Sequence, residues 1–135
     1  SCTGWGQSVY VSPDGMVVIG VAECTSLPPV AVNIKTGVQL WRNNSLACPY
    51  MSYPQCASVV AFTPDSKTFF ANWSSRNSQY PINPAAFAAY DTNTGTQLWQ
   101  YQGVGAFAAM AVTPDSTMVL VSDTDASLLD ILCPI

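Results

Sequence analysis

The chain has 135 residues, 49% of them hydrophobic and only 9% charged, with eight acids against four bases for a net charge of -4. That length suits one ordinary domain able to remove roughly two-thirds of its unfolded surface from water, and 9% charge stands against about 25% in a typical soluble domain, so attached sugars or neighbouring subunits are expected to cover the surface. The four bases, Lys35, Arg42, Lys67 and Arg76, form no cluster that could meet a phosphate backbone, and no apolar run approaches the roughly 20 residues of a membrane span, which excludes nucleic acid and a helical span.

The first predicted element is a hairpin. "VYVSPDGMVVIG" places a short apolar run on either side of Ser-Pro-Asp-Gly at 12 to 15. Pro13 fixes φ near -65° at the second turn position, Asp14 follows as a turn former, and Gly15 suits a left-handed fourth position. A second turn follows in "NIKTGVQLW" at 33 to 41, where Gly37 again fits a left-handed position between a strand leading in and a strand leading out to Trp41. This first unit of four strands runs over residues 7–42.

The pattern then recurs. "VAFTPDSKTFFA" carries Pro64 and Asp65, and "DTNTGTQLW" at 91 to 99 carries Gly95 and Trp99, giving a second four-stranded unit over 57–100. A third begins with "MAVTPDSTMVLV", carrying Pro114 and Asp115, and occupies 106–135. Ser66 and Ser116 stand where Gly15 stood, and a Cβ there is expected to cost of order 1 kcal/mol. All three Asp residues read as turn formers and not as ligands or catalytic acids. The inner strands are nearly continuous in apolar residues, as in sheets covered on both faces, and Gly20 and Ala71 fit crowded contacts between sheets.

Four-stranded antiparallel units of this length are the signature of β-propeller blades. The Pro-Asp turns resemble the repeats of YVTN and WD-like propellers, and "DTNTGTQLW" resembles the repeat of quinoprotein, or pyrroloquinoline-quinone-like, propellers. The expected fold class is therefore all-β, with about two complete blades and one incomplete, open within this chain. The third unit stops at "SLLDILCPI", before a fourth strand, so either further blades of a longer product or a neighbouring copy is expected to supply the remainder. A polypeptide that starts at Ser1 without Met likewise reads as processed, excised or part of a longer product. The resemblance implies that Trp41 and Trp99 pack as docking plugs between blades.

Five cysteines without CxxC spacing and the absence of histidine argue against a zinc site and for disulfides in an oxidising compartment. Two sequons, Asn43-Asn44-Ser45 and Asn72-Trp73-Ser74, agree with a secreted or cell-surface location and N-linked glycans. Alternation of turns between two propeller faces puts Cys24, Cys48 and Cys56 on one face. Cys24 is expected to pair with Cys48 or Cys56, with Cys48 to Cys56 as the local alternative. Cys2 and Cys133 fall on opposite faces and are expected to stay unpaired or to bond another chain.

No catalytic constellation, cofactor or metal site is expected. The chain has no histidine base, and Asp123 and Asp125 lack the glycine and distal glutamate of a calcium loop. Trp5, Trp73, Tyr50, Tyr53 and Tyr80 are candidates for a sugar-binding surface, but aromatic residues at blade edges are more often core or interface. The expected function is a noncatalytic extracellular assembly module, partnered by itself or by adjacent blades, as the subunit of a glycosylated filament. The alternative is a fragment of a larger propeller with ligand-binding, adhesion or quinone-dependent enzyme function.

Overall fold

The computed structural model describes residues 7–22, 28–44, 60–73, 86–102, 107–123 and 128–132. Eleven strands run through them: β1 (Gln7–Val11), β2 (Val17–Ala22), β3 (Val30–Asn33), β4 (Gln39–Arg42), β5 (Val60–Phe62), β6 (Thr68–Trp73), β7 (Ala86–Asp91), β8 (Gln97–Gln102), β9 (Phe107–Val112), β10 (Val119–Asp123) and β11 (Leu128–Leu132). They form two four-stranded sheets in sequential order, β1 to β4 and β5 to β8, and a three-stranded sheet of β9 to β11. Every pairing is antiparallel. The chain is thus all-β, with two complete blades and a third of three strands, in an open array among the described residues.

Local chemistry closes the first hairpin of each blade. The Ser12 hydroxyl accepts the Val17 N–H at 2.9 Å and donates to the Asp14 carboxylate at 2.6 Å, while Asp14 also accepts the Met16 N–H at 3.0 Å. Thr63 and Thr113 repeat the relay to Asp65 and Asp115. The fourth position is left-handed each time, at φ 71° for Gly15, 62° for Ser66 and 59° for Ser116. A side chain that satisfies the backbone groups of its own turn specifies hairpin register through contacts local in sequence.

The second hairpin uses a wider loop. Asn33 Oδ1 accepts the N–H groups of Lys35 and Thr36, and Asp91 Oδ1 accepts those of Asn93 and Thr94. The loop then closes through Gly37 N–H to the Asn33 carbonyl and Gly95 N–H to the Asp91 carbonyl, both at 2.9 Å. In each of the two four-stranded blades a register shift follows, between Ala31 and Val32 and between Ala89 and Tyr90.

Cross-strand register sorts the side chains into two faces per blade. In the first blade Tyr10, Ile19, Ala31 and Trp41 align across β1 to β4, and in the second Ala61, Phe70, Ala89 and Trp99 align in the same way. The first of these rows, with Val17 and Val21, packs on Val60, Phe69, Ala71, Ala88 and Tyr90 of the second blade. On the opposite side of the second blade Phe70, Phe87, Ala89 and the half-buried Trp99 pack on Val119 and Val121 of the third. Each fully buried Phe contributes roughly 1.5–3 kcal/mol through burial, so these two interblade layers are the core. Gly20 departs from the crowding expected of it. A Cβ there would meet none of the described residues within 4 Å, because Gly20 lies on the face of the first blade that turns away from the second, whereas Ala71 is buried.

Candidate functional site

Among the described residues, side-chain stacking and two cross-blade hydrogen bonds converge at the junction where β4 meets the second hairpin loop of the next blade. Trp41 stacks on Phe69 with ring centroids 5.5 Å apart and planes 6° off parallel, and Phe69 stacks in turn on Tyr90 at 5.1 Å. The Trp41 Nε1–H donates to the Thr92 carbonyl at 2.8 Å, inside the protein. Two residues on, Asn43 Nδ2 donates to the Gly95 carbonyl at 3.0 Å. The indole lies so close to Gly95 that a Cβ at that residue would sit 2.6 Å from Trp41 Cδ2. One aromatic side chain thus fills the socket, satisfies a buried carbonyl and demands glycine opposite it.

A second bond joins the same two blades at their inner hairpins. The Asp14 N–H donates to Ser66 Oγ at 3.0 Å. Ser66 is buried at its left-handed position, so the hydroxyl that replaces a glycine hydrogen there takes a donor from the neighbouring turn. The three turn carboxylates are held below their ordinary value of 3.8, first by the hydroxyls of Ser12, Thr63 and Thr113. The backbone N–H groups of Met16 and Lys67 add to this at Asp14 and Asp65, and both the hydroxyl and N–H of Thr117 add to it at Asp115.

Trp99 occupies the place of Trp41 one blade later and has different neighbours. It tilts against Phe70 at 5.9 Å and Phe87 at 5.7 Å. The position matched to Asn43 is Tyr101, which is exposed. Asn43 itself is half-buried, and the nitrogen that bonds Gly95 is the one an N-linked glycan would occupy. A glycosylated amide keeps one N–H, so the bond and the sugar are compatible only when the sugar takes the other hydrogen's place. Asn72 lies in β6, paired with Phe87 of β7.

Pro13, Pro64 and Pro114 occupy the second positions of their turns, with Asp14, Asp65 and Asp115 next to them, on the surface. Cys2, Cys24, Cys48, Cys56 and Cys133 lie outside the described residues, as do Trp5, Tyr50, Tyr53, Tyr80 and Asp125. Among the described residues no three His, Cys, Asp or Glu side chains converge as metal ligands, and no helix is long and apolar enough to cross a membrane.

Among the described residues, no strand or loop of another blade covers the face of the first blade that turns away from the second. Val9 is 66% exposed and Val11 54%, and Ile34, in the loop position matched to Thr92, is 45% exposed. Gly37, matched to Gly95, has none of the described residues within 4 Å of where a Cβ would stand. Sequence reasoning missed Asn43 and Ser66 as contacts between blades. The signal available for Asn43 was weak, namely an amide two residues beyond Trp41.

Three solved structures share this arrangement. One is a proposed 6-phosphogluconolactonase from Bacteroides uniformis, with TM-score 0.65 and 16% identity over 96% of this chain and 36% of that one. Hydrazine synthase of Kuenenia stuttgartiensis gives TM-score 0.62 and 17% identity over 85% and 30% of the two chains. The WD40 repeats of RRP9 give 0.62 and 14% over 96% and 40%. At such identities the likeness is one of fold, and the antiparallel four-stranded sheets together with these neighbours define the class as β-propeller-like repeat proteins. The chain spans less than half the length of each of these structures. No family model matches it, and no curated protein sequence does.

Proposed function

We propose that this chain is a noncatalytic structural module of the extracellular space that assembles through blade faces, as the repeating subunit of a glycosylated filament. The observation that carries the reading is the open face of the first blade, where Val9 and Val11 are 66% and 54% exposed. The matching face of the second blade is sealed by Trp41, so this molecule already contains one example of what such a face is built to receive. A contiguous apolar face left in water favours association. The low charge content, the two sequons and the cysteines support an extracellular setting and N-linked glycans at Asn43 and Asn72. Within the propeller class, the "DTNTGTQLW" loop and the socketed tryptophan favour a quinoprotein-like repeat, and the Pro-Asp hairpins a YVTN or WD-like one.

Electron microscopy of the native material, with glycopeptide mass spectrometry, tests this reading. Filaments with a repeat of one chain and sugar on Asn43 or Asn72 are expected. Dispersed single particles without sugar would overturn it.

A second reading has its own observation. The chain spans only 30 to 40% of the solved structures it resembles, so it equally fits a part of a larger propeller that binds a ligand, adheres or catalyses a reaction with a quinone. The mass of the native polypeptide separates the two, since a larger product with further blades supports only the second.

A further inference from the structure

The open face of the first blade can be assigned a mate and a register from the repeat itself. Residues 10, 61 and 111 are equivalent across the three Pro-Asp hairpins, as are 11, 62 and 112. At the first junction Tyr10 and Phe62 join one apolar cluster, with Tyr10 contributed by the earlier blade and Phe62 by the later. At the second junction β5 lies against β9, and Val112 packs into the cluster that joins those blades. Each later blade therefore brings its residue of the 11, 62, 112 series to the earlier blade's side.

Two faces remain without a neighbouring blade among the described residues. One is the face of the first blade bearing Val9, Val11, Val18, Gly20, Val30 and Val32, aligned by the registers of β1 to β3. The other is the far face of the third blade. There Ala111 is exposed and its cross-strand partner Leu120 half-buried, while Val119 and Val121 point the opposite way and are fully buried against the second blade. These two faces stand to each other as Tyr10 and its row stand to Phe62 and its row.

We propose that a second copy of this chain seats the far face of its third blade on the valine face of the first blade, with Ala111 of one copy against Val11 of the next. The inference rests on the assembly reading above and deepens it. Six uncharged positions on β1 to β3 form one side of the sheet, two of them more than half exposed. A charge enters that side at Arg42, opposite Val30 on the outer strand β4, so the apolar patch itself carries no lysine or inward charge of the kind that ordinarily protects such a surface in water. The open space at Gly20 and Gly37 fits the same account, since both residues face a blade that a second copy supplies. The contact is heterologous, and each copy keeps one face of each kind, so repetition gives a filament or a ring.

Complementary charge substitutions in the full chain test the pairing. Val11→Lys and Ala111→Glu change exposed positions, so each variant is expected to keep the wild-type thermal midpoint at concentrations where both are dispersed. Each alone is expected to raise the concentration for half-assembly about 30-fold or more in sedimentation, because one charge is buried unpaired. Mixing the two variants restores assembly, since the Glu face of one meets the Lys face of the other and their remaining faces are native. Wild-type chains that stay single at all concentrations overturn the assembly reading itself. Wild-type assembly that neither substitution disturbs leaves that reading standing and overturns the assignment of these faces. Dispersal by both variants without recovery on mixing overturns the pairing of Val11 with Ala111. Val9→Lys, at a neighbouring exposed residue, repeats the test should Val11→Lys fail to fold.

Discussion

Trp41 and Gly95 stand 54 residues apart in the sequence, and a Cβ on Gly95 would come within 2.6 Å of the indole Cδ2. Gly37 has the same loop position and nearly the same backbone, φ 70° against 67°, but open space around it. The pair therefore separates two reasons for glycine. Gly37→Ala in dispersed chains is expected to lose about 1 kcal/mol, the cost of a Cβ in the left-handed region. Gly95→Ala carries that cost and also forces the indole from its socket, so a loss larger by about 1–3 kcal/mol is expected in denaturant titration. Equal losses at the two sites would show that the Trp41 contact contributes no strain.

Trp41 itself combines packing with one hydrogen bond, and two substitutions divide them. Trp41→Phe keeps an aromatic ring over Phe69 but leaves the Thr92 carbonyl without its donor, at an expected loss of about 1–3 kcal/mol. Trp41→Ala empties the socket, at an expected loss of about 3–5 kcal/mol. Urea midpoints of the two variants check the order.

The strand order was legible in the sequence because the hairpins are local: a hydroxyl, a proline, an aspartate and a left-handed residue occupy four consecutive positions and satisfy one another. What joins the blades was much less legible. Trp41 to Thr92, Asp14 to Ser66 and Asn43 to Gly95 each span 51 or 52 residues, from one blade to the next, and each uses a backbone group on at least one side. Backbone donors and acceptors leave no trace in residue identity. The expectation for Gly20 differed from the structure for a related reason, since sequence alone does not say which blade faces have a neighbour.

Ser66 and Ser116 give the third prediction. Both hold φ near 60°, but only Ser66 Oγ accepts a hydrogen bond, from the Asp14 N–H, among the described residues. Ser116→Gly relieves strain without loss and is expected to stabilise by about 1 kcal/mol. Ser66→Gly relieves the same strain and removes a bond of similar size, so a change within about 0.5 kcal/mol is expected. Thermal melts of the two variants side by side measure the difference.

Acid unfolding follows from the three turn carboxylates. Hydroxyl and N–H donors lower the folded-state values of Asp14, Asp65 and Asp115 below 3.8, so their contribution is fully present above about that pH. It falls away as pH drops through the lowered folded values, because protonation turns a charged acceptor into a weaker neutral one and puts a proton on a group whose turn partners are donors. A triple Asp→Asn variant is expected to be less stable than wild type at pH 7, with the gap closing as pH falls below about 3.8. A gap of constant size from pH 7 to pH 2 would rule out these carboxylates as the titrating groups.

Thr92 carries the last prediction. Its carbonyl holds the Trp41 indole, but its hydroxyl is buried with no hydrogen-bond partner among the described residues. An unsatisfied buried hydroxyl costs about 1–3 kcal/mol, and valine has nearly the same shape without the polar atom. Thr92→Val is therefore expected to raise stability by about 1 kcal/mol while leaving the Trp41 bond in place, since that bond uses only the backbone. Tryptophan fluorescence reads the indole environment independently of the melt. A more stable variant with unchanged emission supports the account, whereas a loss of stability would mean that the hydroxyl has a partner in solution.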